Sequence, residues 1–575
     1  MSLLVLLLSL APVAIPSVAQ ERAAASPVAS AQAQDAPLSA VTRAIALQGR
    51  IQEVHAVAMR TTVAIFGRAG NGRPRGSGAS GVLVSADGLV LTAAHVLESV
   101  GDRPLVRMPG GRLVDAVSLG RDDRADFGLL RLEFEGDEEF PFAEMGVSGE
   151  LVQDEVCLMY GHPGGVVRGR PAVLRLGVFL DRRRDGMLRT TCKMMPGDSG
   201  GPVFDLEGRV VAINSQINVA LDRNYHVPVD PARAQWDRLL AGEQWSSERV
   251  GRNAPRPPAP ERVESDAALP GGVDALREAF AAAAADLHAS VVRLEEEGGA
   301  LLGYGIAVDD GQVLAKSTRV PAGPVRARFA DGDAVEARVL ARDRASDLVL
   351  VEVTGLACTP VGWSNDSPPT GALLATVGAA ADVLQVGAVG APDREVPQRD
   401  YGVLGVRFDR DEDDDRIEVE AAFEGAPAFT AGVREGDVVV AFQGDAFTSG
   451  NALREVLRRT EPGERVTMTV EGPDGEARTL EFALGSSSRL QAMSGNRTHA
   501  AYRTETSLRR GGFPSVLNHD MPLEPSECGG PVVDLEGRVV GLNIARHDRT
   551  ASFALPAAEV RRVLARLRAA AAAAE

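Results

Sequence analysis

Apolar positions fall along this chain in three textures. Between Val41 and Met59 they recur at helical spacing (Ile45, Leu47, Ile51, Val54, Val57, Ala58), which predicts a helix leading into the first core. From Thr61 to Ile217 they gather into short β-branched runs broken by glycine, such as TTVAIFG, ASGVLVSADGLVLTAAHV and DFGLLRLEF. Many short strands with frequent turn signals predict an antiparallel barrel or sandwich. The third texture has no period. Gln20 to Leu38 is rich in Ala, Ser, Pro and Gln, and Asn253 to Gly272 is rich in Pro, so both read as spacers.

The strand texture then returns, and it returns in the same order. SVVRLEEEGGALLGYGIAVDDGQVLAKSTRV (Ser290 to Val320) tracks the first strands, and RDRASDLVLVEV tracks RDDRADFGLLRLEF. PSECGGPVVDLEGRVVGLN (Pro525 to Asn543) tracks PGDSGGPVFDLEGRVVAIN (Pro196 to Asn214). This is an internal duplication. The interval from Asp126 to Ser199 grows by roughly a hundred residues between Asp347 and Cys528, enough for a small inserted domain. YGVLGVRF, GAPAFTAGVREGDVVVAFQGDAF, a helical pattern over Asn451 to Arg459 and EPGERVTMTVEG supply its strands and helix.

Composition narrows the class. The chain has 575 residues, 45% hydrophobic and 24% charged, which suits several ordinary globular domains rather than one core. A net charge of −18 argues against a general nucleic-acid binder, because such a surface repels phosphates. Four cysteines are too few for a disulfide scaffold; Cys157 and Cys192 are either bridged or two buried free thiols. Leu3 to Leu10 is almost all leucine, and Ser17-Val18-Ala19 follows with small residues, the pattern of a secretory signal over 1–19. The run is short for a membrane span, which needs about 20 apolar residues, so an uncleaved anchor is the lesser alternative.

A hydroxyl is a poor nucleophile unless a base stands within hydrogen-bond reach and a carboxylate fixes that base. Gly197-Asp198-Ser199-Gly200-Gly201 places a serine among glycines whose backbone can turn the amides of Gly197 and Ser199 toward an oxyanion. His95 ends the apolar strand VLTAA, and Asp126 opens FGLLRLEF. Alone, a histidine is more often structural and DSGG can be a plain turn. Together, in this order and on strand ends, they mark His95, Asp126 and Ser199 as a candidate triad.

TAAH, ADFGLLRL and GDSGGPV resemble the trypsin-like serine proteases, and the chain from about Val41 to Leu567 most resembles the HtrA/Deg family of secreted quality-control proteases. The resemblance implies a mostly β fold with two trypsin-like double β-barrel domains, the second inactive and interrupted by a PDZ domain. The expected divisions are a spacer over 20–40, the active domain over 41–245 and a linker over 246–272. The degenerate domain then covers 273–398 and 486–568, with the PDZ domain over 399–485. The resemblance also implies endopeptidase action on unfolded or mislocalised protein, outside the cytoplasm, with no cofactor or metal and with trimer formation as in relatives. Val403, Leu404, Gly405 and Val406 fall where a PDZ domain holds a peptide's C-terminal carboxylate. The rival from another class is a scaffold or chaperone that holds unfolded protein and cuts little.

Departures matter as much. The family commonly has asparagine before the serine; here Asp198 stands there, as in digestive trypsins, where it pairs with a freshly cut N-terminus. Lys193 falls six residues before Ser199, where a trypsin-like enzyme reads its substrate; a lysine there could favour acidic residues, but family loops shift this register, so that is the lesser reading. In the second copy Thr318 or Arg319 replaces His95, Asp347 is kept and Cys528 replaces Ser199. Neither replacement can accept a proton at neutral pH, and Glu524 and Glu527 beside Cys528 would raise its thiol pKa. That copy therefore reads as a pseudoprotease, with residual thiol chemistry or a redox sensor at Cys528 as the lesser alternatives. His162 and His226 read as structural; His499, His519 and His547 lie outside the base position, though folding could bring His519 close. The acidic run over Asp409 to Glu418 reads as a solvated loop without a calcium-loop glycine.

Overall fold

The computed structural model describes residues 39–247, 272–488 and 505–574, except 135, 137, 219, 322, 330–331, 356–357, 381, 399 and 409–415. The signal, most of both spacers, most of the acidic run and His499 lie outside the described residues. Ser39 caps the first helix, Ala40–Thr61, its Oγ accepting from Thr42 N at 3.1 Å. Ala44, Leu47, Ile51, Val54 and Ala58 form its buried face. Ile45, which belongs to the same apolar pattern, is 50% exposed, because it lies a quarter-turn off that face.

The strands close into four barrels. The first uses Thr62–Arg68, Pro74–Leu83, Leu89–Thr92, Leu105–Arg107, Leu113–Asp122 and Phe127–Glu133, with the short strand Gln244–Trp245 added in parallel. The second uses Val156–Gly161, Val173–Arg182, Leu188–Thr190, Pro202–Phe204, Val210–Ile217 and Asn224–Pro228. The third lies between Val291 and Val353, and the fourth combines Leu373–Val377 and Val383–Val396 with strands from Phe513 to Pro556. Around each barrel, strands run in one cyclic order: first, second, third, sixth, fifth, fourth. Closure removes every exposed edge, which lets such short strands persist.

Between the second and third strands of the fourth barrel a further module is spliced in. Gly402–Val403 pairs with Gly485–Ser486 at its neck. Its main sheet runs Val406–Phe408, Ile417–Ala422, Val438–Phe442, Arg465–Glu471, Ala477–Ala483, with helix Gly450–Leu457 contributing Leu453 and Leu457 to a separate core. In the second barrel the same position is a plain hairpin, Val173–Arg182 to Leu188–Thr190.

The two barrel pairs share a seam. Gln48 of the first helix accepts from Leu373 N at 2.8 Å. A second helix, Val273–Ala283, packs Leu276, Ala279 and Phe280 into the same core, and Arg277 donates to Val383 O at 2.9 Å. Asp520 of the fourth barrel accepts from Leu176 N of the second barrel at 2.6 Å. The last helix, Ala557–Ala574, is continuous through its alanine run.

Candidate active site

The strand Leu89–Thr92 ends in a short 3-10 turn, Ala94–Val96, which lifts His95 out of the first barrel. Asp126 stands at the mouth of Phe127–Glu133 in the left-handed region, φ 63°, a conformation rare for a side-chain-bearing residue and typical of functional turns. That turn aims its carboxylate back at the histidine. His95 Nδ1 lies 2.9 Å from both Asp126 oxygens, and His95 N donates to Oδ1 at 3.0 Å. Ser215 Oγ donates to Oδ2. Burial pushes the Asp126 carboxyl up, but the His95 ring, its charge and Ser215 outweigh burial and hold it below the ordinary carboxylate value. An ionised Asp126 fixes the His95 tautomer with Nδ1–H inward and leaves Nε2 free to take a proton.

Ser199 lies on the turn 196–200 between the two barrels, half-buried. Its carbonyl accepts from Ser80 N at 2.9 Å, tying the turn to the first barrel. Ser199 Oγ has no hydrogen bond to His95 within 3.5 Å, a looseness common in catalytic sites without substrate. Gly197 has φ 99°, and a Cβ there would collide with His162 O, so glycine is required. Ser80 Oγ donates to Gly197 O at 2.8 Å. Among the described residues, neither Gly197 N nor Ser199 N donates to any acceptor. Two unspent amides beside a serine are what an oxyanion needs.

Three contributors escaped the sequence reading: Ser80, Ser215 and Arg175. Arg175 Nη2 donates to Asp198 Oδ1 at 2.5 Å, and both side chains are 1% exposed. Among the described residues, Asp198 therefore has an internal cation as its partner. Lys193 does not face the serine. It lines a cavity of about 190 Å³ at the seam, where it shares its surroundings with Asp520, so the acidic-substrate expectation fails on position. His162 and His226 are buried and held by Ser80 and by Thr190 with Asn214, and burial lowers each to about 3. Cys157 and Cys192 are free buried thiols.

The second barrel pair repeats the strand order and carries different residues at the corresponding positions. Strand pairing and the 3-10 turn Ser317–Arg319 place Thr318 where His95 stands. Thr318 N donates to Asp347 Oδ1 at 2.8 Å, while Thr318 Oγ1, at 3.0 Å, and the buried Lys316 Nζ both donate to Oδ2. Asp347 has the same left-handed backbone, φ 59°. Cys528 is fully buried, with Ser507 Oγ 3.8 Å from its sulfur. Burial pushes its thiol up, while Lys316 pulls it down; the flanking carboxylates are not the cause. Ser526 replaces Gly197 and sits in a 3-10 turn, Pro525–Glu527, and Cys528 N turns inward to Pro525 O at 3.4 Å. His519 faces Asn543 at 3.1 Å rather than the cysteine.

In the spliced module, strand Val406–Phe408 pairs on one side only. Gly405 has φ 74°, and among the described residues Leu404 N and Gly405 N donate to nothing, while the Leu404 side chain is buried in the core. Val403 and Val406 flank this loop as the ends of two strands.

A trypsin-like peptidase domain model matches residues 79–213, and a PDZ domain model matches residues 402–484. The chain is thus similar to trypsin-like peptidases over the first barrel pair and to PDZ domains over the spliced module. It is 37% identical over 141 residues to a probable periplasmic serine endoprotease DegP-like of Ectopseudomonas mendocina, covering 24% of this chain and 29% of that protein. A DegP-like protein of Pseudomonas savastanoi is 26% identical over 419 residues, 70% of this chain and 78% of its own length. The putative serine protease HhoA of Synechocystis is 29% identical over 175 residues, 28% and 43% of the two lengths. The chain thus spans well under half of the first and third of these relatives. Among the described residues no helix is long and apolar enough to cross a membrane.

Proposed function

We propose that this chain is an extracytoplasmic serine endopeptidase of protein quality control, with His95, Asp126 and Ser199 as its triad and Gly197 N and Ser199 N as its oxyanion donors. The observation that carries the reading is the His95–Asp126 pair held at 2.9 Å across the cleft from two unspent amides. Ser199 attacks a peptide carbonyl while His95 Nε2 takes its proton; Asp126 stabilises the imidazolium. The amides bind the oxyanion, His95 returns the proton to the leaving amine, and water then releases the acyl group by the same route. No cofactor enters these steps.

Val403–Val406 receives a peptide C-terminus, its carboxylate on Leu404 N and Gly405 N and its backbone along the open edge of Val406–Phe408. The second barrel pair acts as a degenerate protease that holds the PDZ module and senses its state. Three features support this role: Gly463 of the module stands against Thr318, Glu464 pairs with Arg344 at 2.5 Å, and Glu461 pairs with Arg509. On the other side, Arg549 donates to Ala220 O at 2.8 Å and Thr550 reaches Met195, beside the serine turn. Hydrolysis of an unfolded casein by the purified chain tests the reading. Turnover lost in Ser199→Ala supports it; suppression of aggregation without any turnover supports the chaperone instead.

A further inference from the structure

The duplication supplies an internal control on the serine turn. Strand pairing sets Met159 opposite Arg175 in the second barrel and Thr376 opposite Gln385 in the fourth, and Val203 and Val532 flank Met159 and Thr376 from the other side. Gln385 therefore occupies the place of Arg175. Glu527 likewise occupies the place of Asp198, one residue before the nucleophile position. The contact itself is duplicated: Arg175 Nη2 to Asp198 Oδ1 at 2.5 Å in one copy, Gln385 Nε2 to Glu527 Oε1 at 3.4 Å in the other. A short charged bond accompanies the turn whose amides are free. A long neutral one accompanies the turn that has coiled into a 3-10 helix and spent Cys528 N on Pro525 O.

We infer that Arg175 is a positioning residue for catalysis: its buried guanidinium clamps Asp198 and thereby keeps Gly197 N and Ser199 N facing the oxyanion. Asp198 is bound at every polar atom. Oδ2 accepts from Met195 N at 3.0 Å, its own N donates to Met195 O at 3.1 Å, and its O accepts from Asn214 Nδ2 at 3.1 Å and Gly201 N at 2.9 Å. Of these, only the bond to Arg175 is charged at both ends. Without it, an ionised carboxylate would remain buried without its counter-charge, which rotation of the turn toward solvent would relieve. Glu527 shows that alternative: its Oε2 accepts from Glu524 N at 2.7 Å, closing the 3-10 turn on itself. The chain thus carries its own fixed cation and needs no cleavage to form the pocket.

This inference rests on the peptidase reading, and its test separates the two. The full chain is prepared as wild type, Arg175→Gln, Arg175→Lys and the double variant Arg175→Gln/Asp198→Asn, which leaves no buried charge to unfold it. A chromogenic peptide gives kcat and KM, and a peptide boronate reports the oxyanion geometry. Arg175→Gln is expected to lower kcat about 100-fold, the scale of one lost oxyanion donor, with KM within about threefold and boronate affinity falling in step. Arg175→Lys, which keeps the charge, retains kcat within about tenfold of wild type, and the double variant stays at least about tenfold below it. Wild-type kcat in Arg175→Gln or in the folded double variant overturns the inference. So does a loss of kcat and KM together with a fallen melting temperature. An inactive wild type overturns the peptidase reading, and this inference with it.

Discussion

Two turns of nearly the same sequence, Pro196 to Gly201 and Pro525 to Gly530, close the same kind of barrel and end in different states. Each packs its last glycines against the paired strand, Gly200 N on Asn214 O at 2.8 Å and Gly529 N on Asn543 O at 2.7 Å. The divergence is confined to what precedes them. In the first, glycine and a clamped aspartate hold two amides outward beside a half-buried serine. In the second, Ser526 and a loosely held glutamate let the backbone coil, and the cysteine sinks into the core. The serine-to-cysteine change is the smallest part of the difference. The missing imidazole, the ammonium of Lys316 on Asp347 and the Cys528 amide bonded to Pro525 O are three further differences, each unfavourable to nucleophilic chemistry.

The comparison breaks most directly at the nucleophiles. Ser199→Ala should lower casein hydrolysis by at least about 10⁴-fold, since only binding and the oxyanion donors remain. Cys528→Ala should leave it within twofold. Asp126→Asn should cost roughly 10³- to 10⁴-fold in kcat with the fold retained, because the neutral amide favours the wrong His95 tautomer. In the second copy the expected loss is of stability. Lys316 and Asp347 are 2% and 1% exposed. Lys316→Met leaves a buried carboxylate unpaired and should destabilise the chain by about 3–5 kcal/mol in denaturant melts, with little change in kcat of the folded fraction.

A smaller effect concerns pH. The folded Asp126 lies below its ordinary value of 3.8, so its pairing contributes stability above the unfolded pKa and loses it as pH falls through the folded one. Any melting difference between wild type and Asp126→Asn at pH 6 should therefore shrink below about pH 4. The smallest concerns Cys528. Its raised thiol pKa and full burial keep it protonated, so alkylation by iodoacetamide at pH 8 should be far slower in the folded chain than in urea.

Much of this contrast was legible before any coordinates. The glycine-punctuated strands, the His95, Asp126 and Ser199 motifs and the repeat that sets Cys528 opposite Ser199 all stand in the sequence. Local chemistry writes such signals, because a turn or strand end constrains only its neighbours. Tyr304, whose N donates to Cys528 O at 3.2 Å as Ser80 N does to Ser199 O, and Ser526 in the place of Gly197 also stand in the repeat. Their meaning depends on which carbonyl each residue meets across the cleft, and no local pattern encodes that. Arg175 and Gln385 were hidden for the same reason: each lies on a strand far from the turn it serves, and only barrel register brings them together. Lys193 shows why an offset from the serine is a weak guide: at that count the chain points it at the seam. Helix Val273–Ala283 had its apolar spacing at Leu276, Ala279 and Phe280, though alanine-rich flanks blurred its face.

On the proposed reading, one of the two turns is an open catalytic site and the other a closed relic. Labelling the full chain with a fluorophosphonate probe, followed by peptide mapping, distinguishes them. Stoichiometric modification of Ser199 is expected, abolished in Asp126→Asn, with no adduct on Cys528. An unlabelled Ser199 in folded protein, or an adduct on Cys528, would contradict that reading.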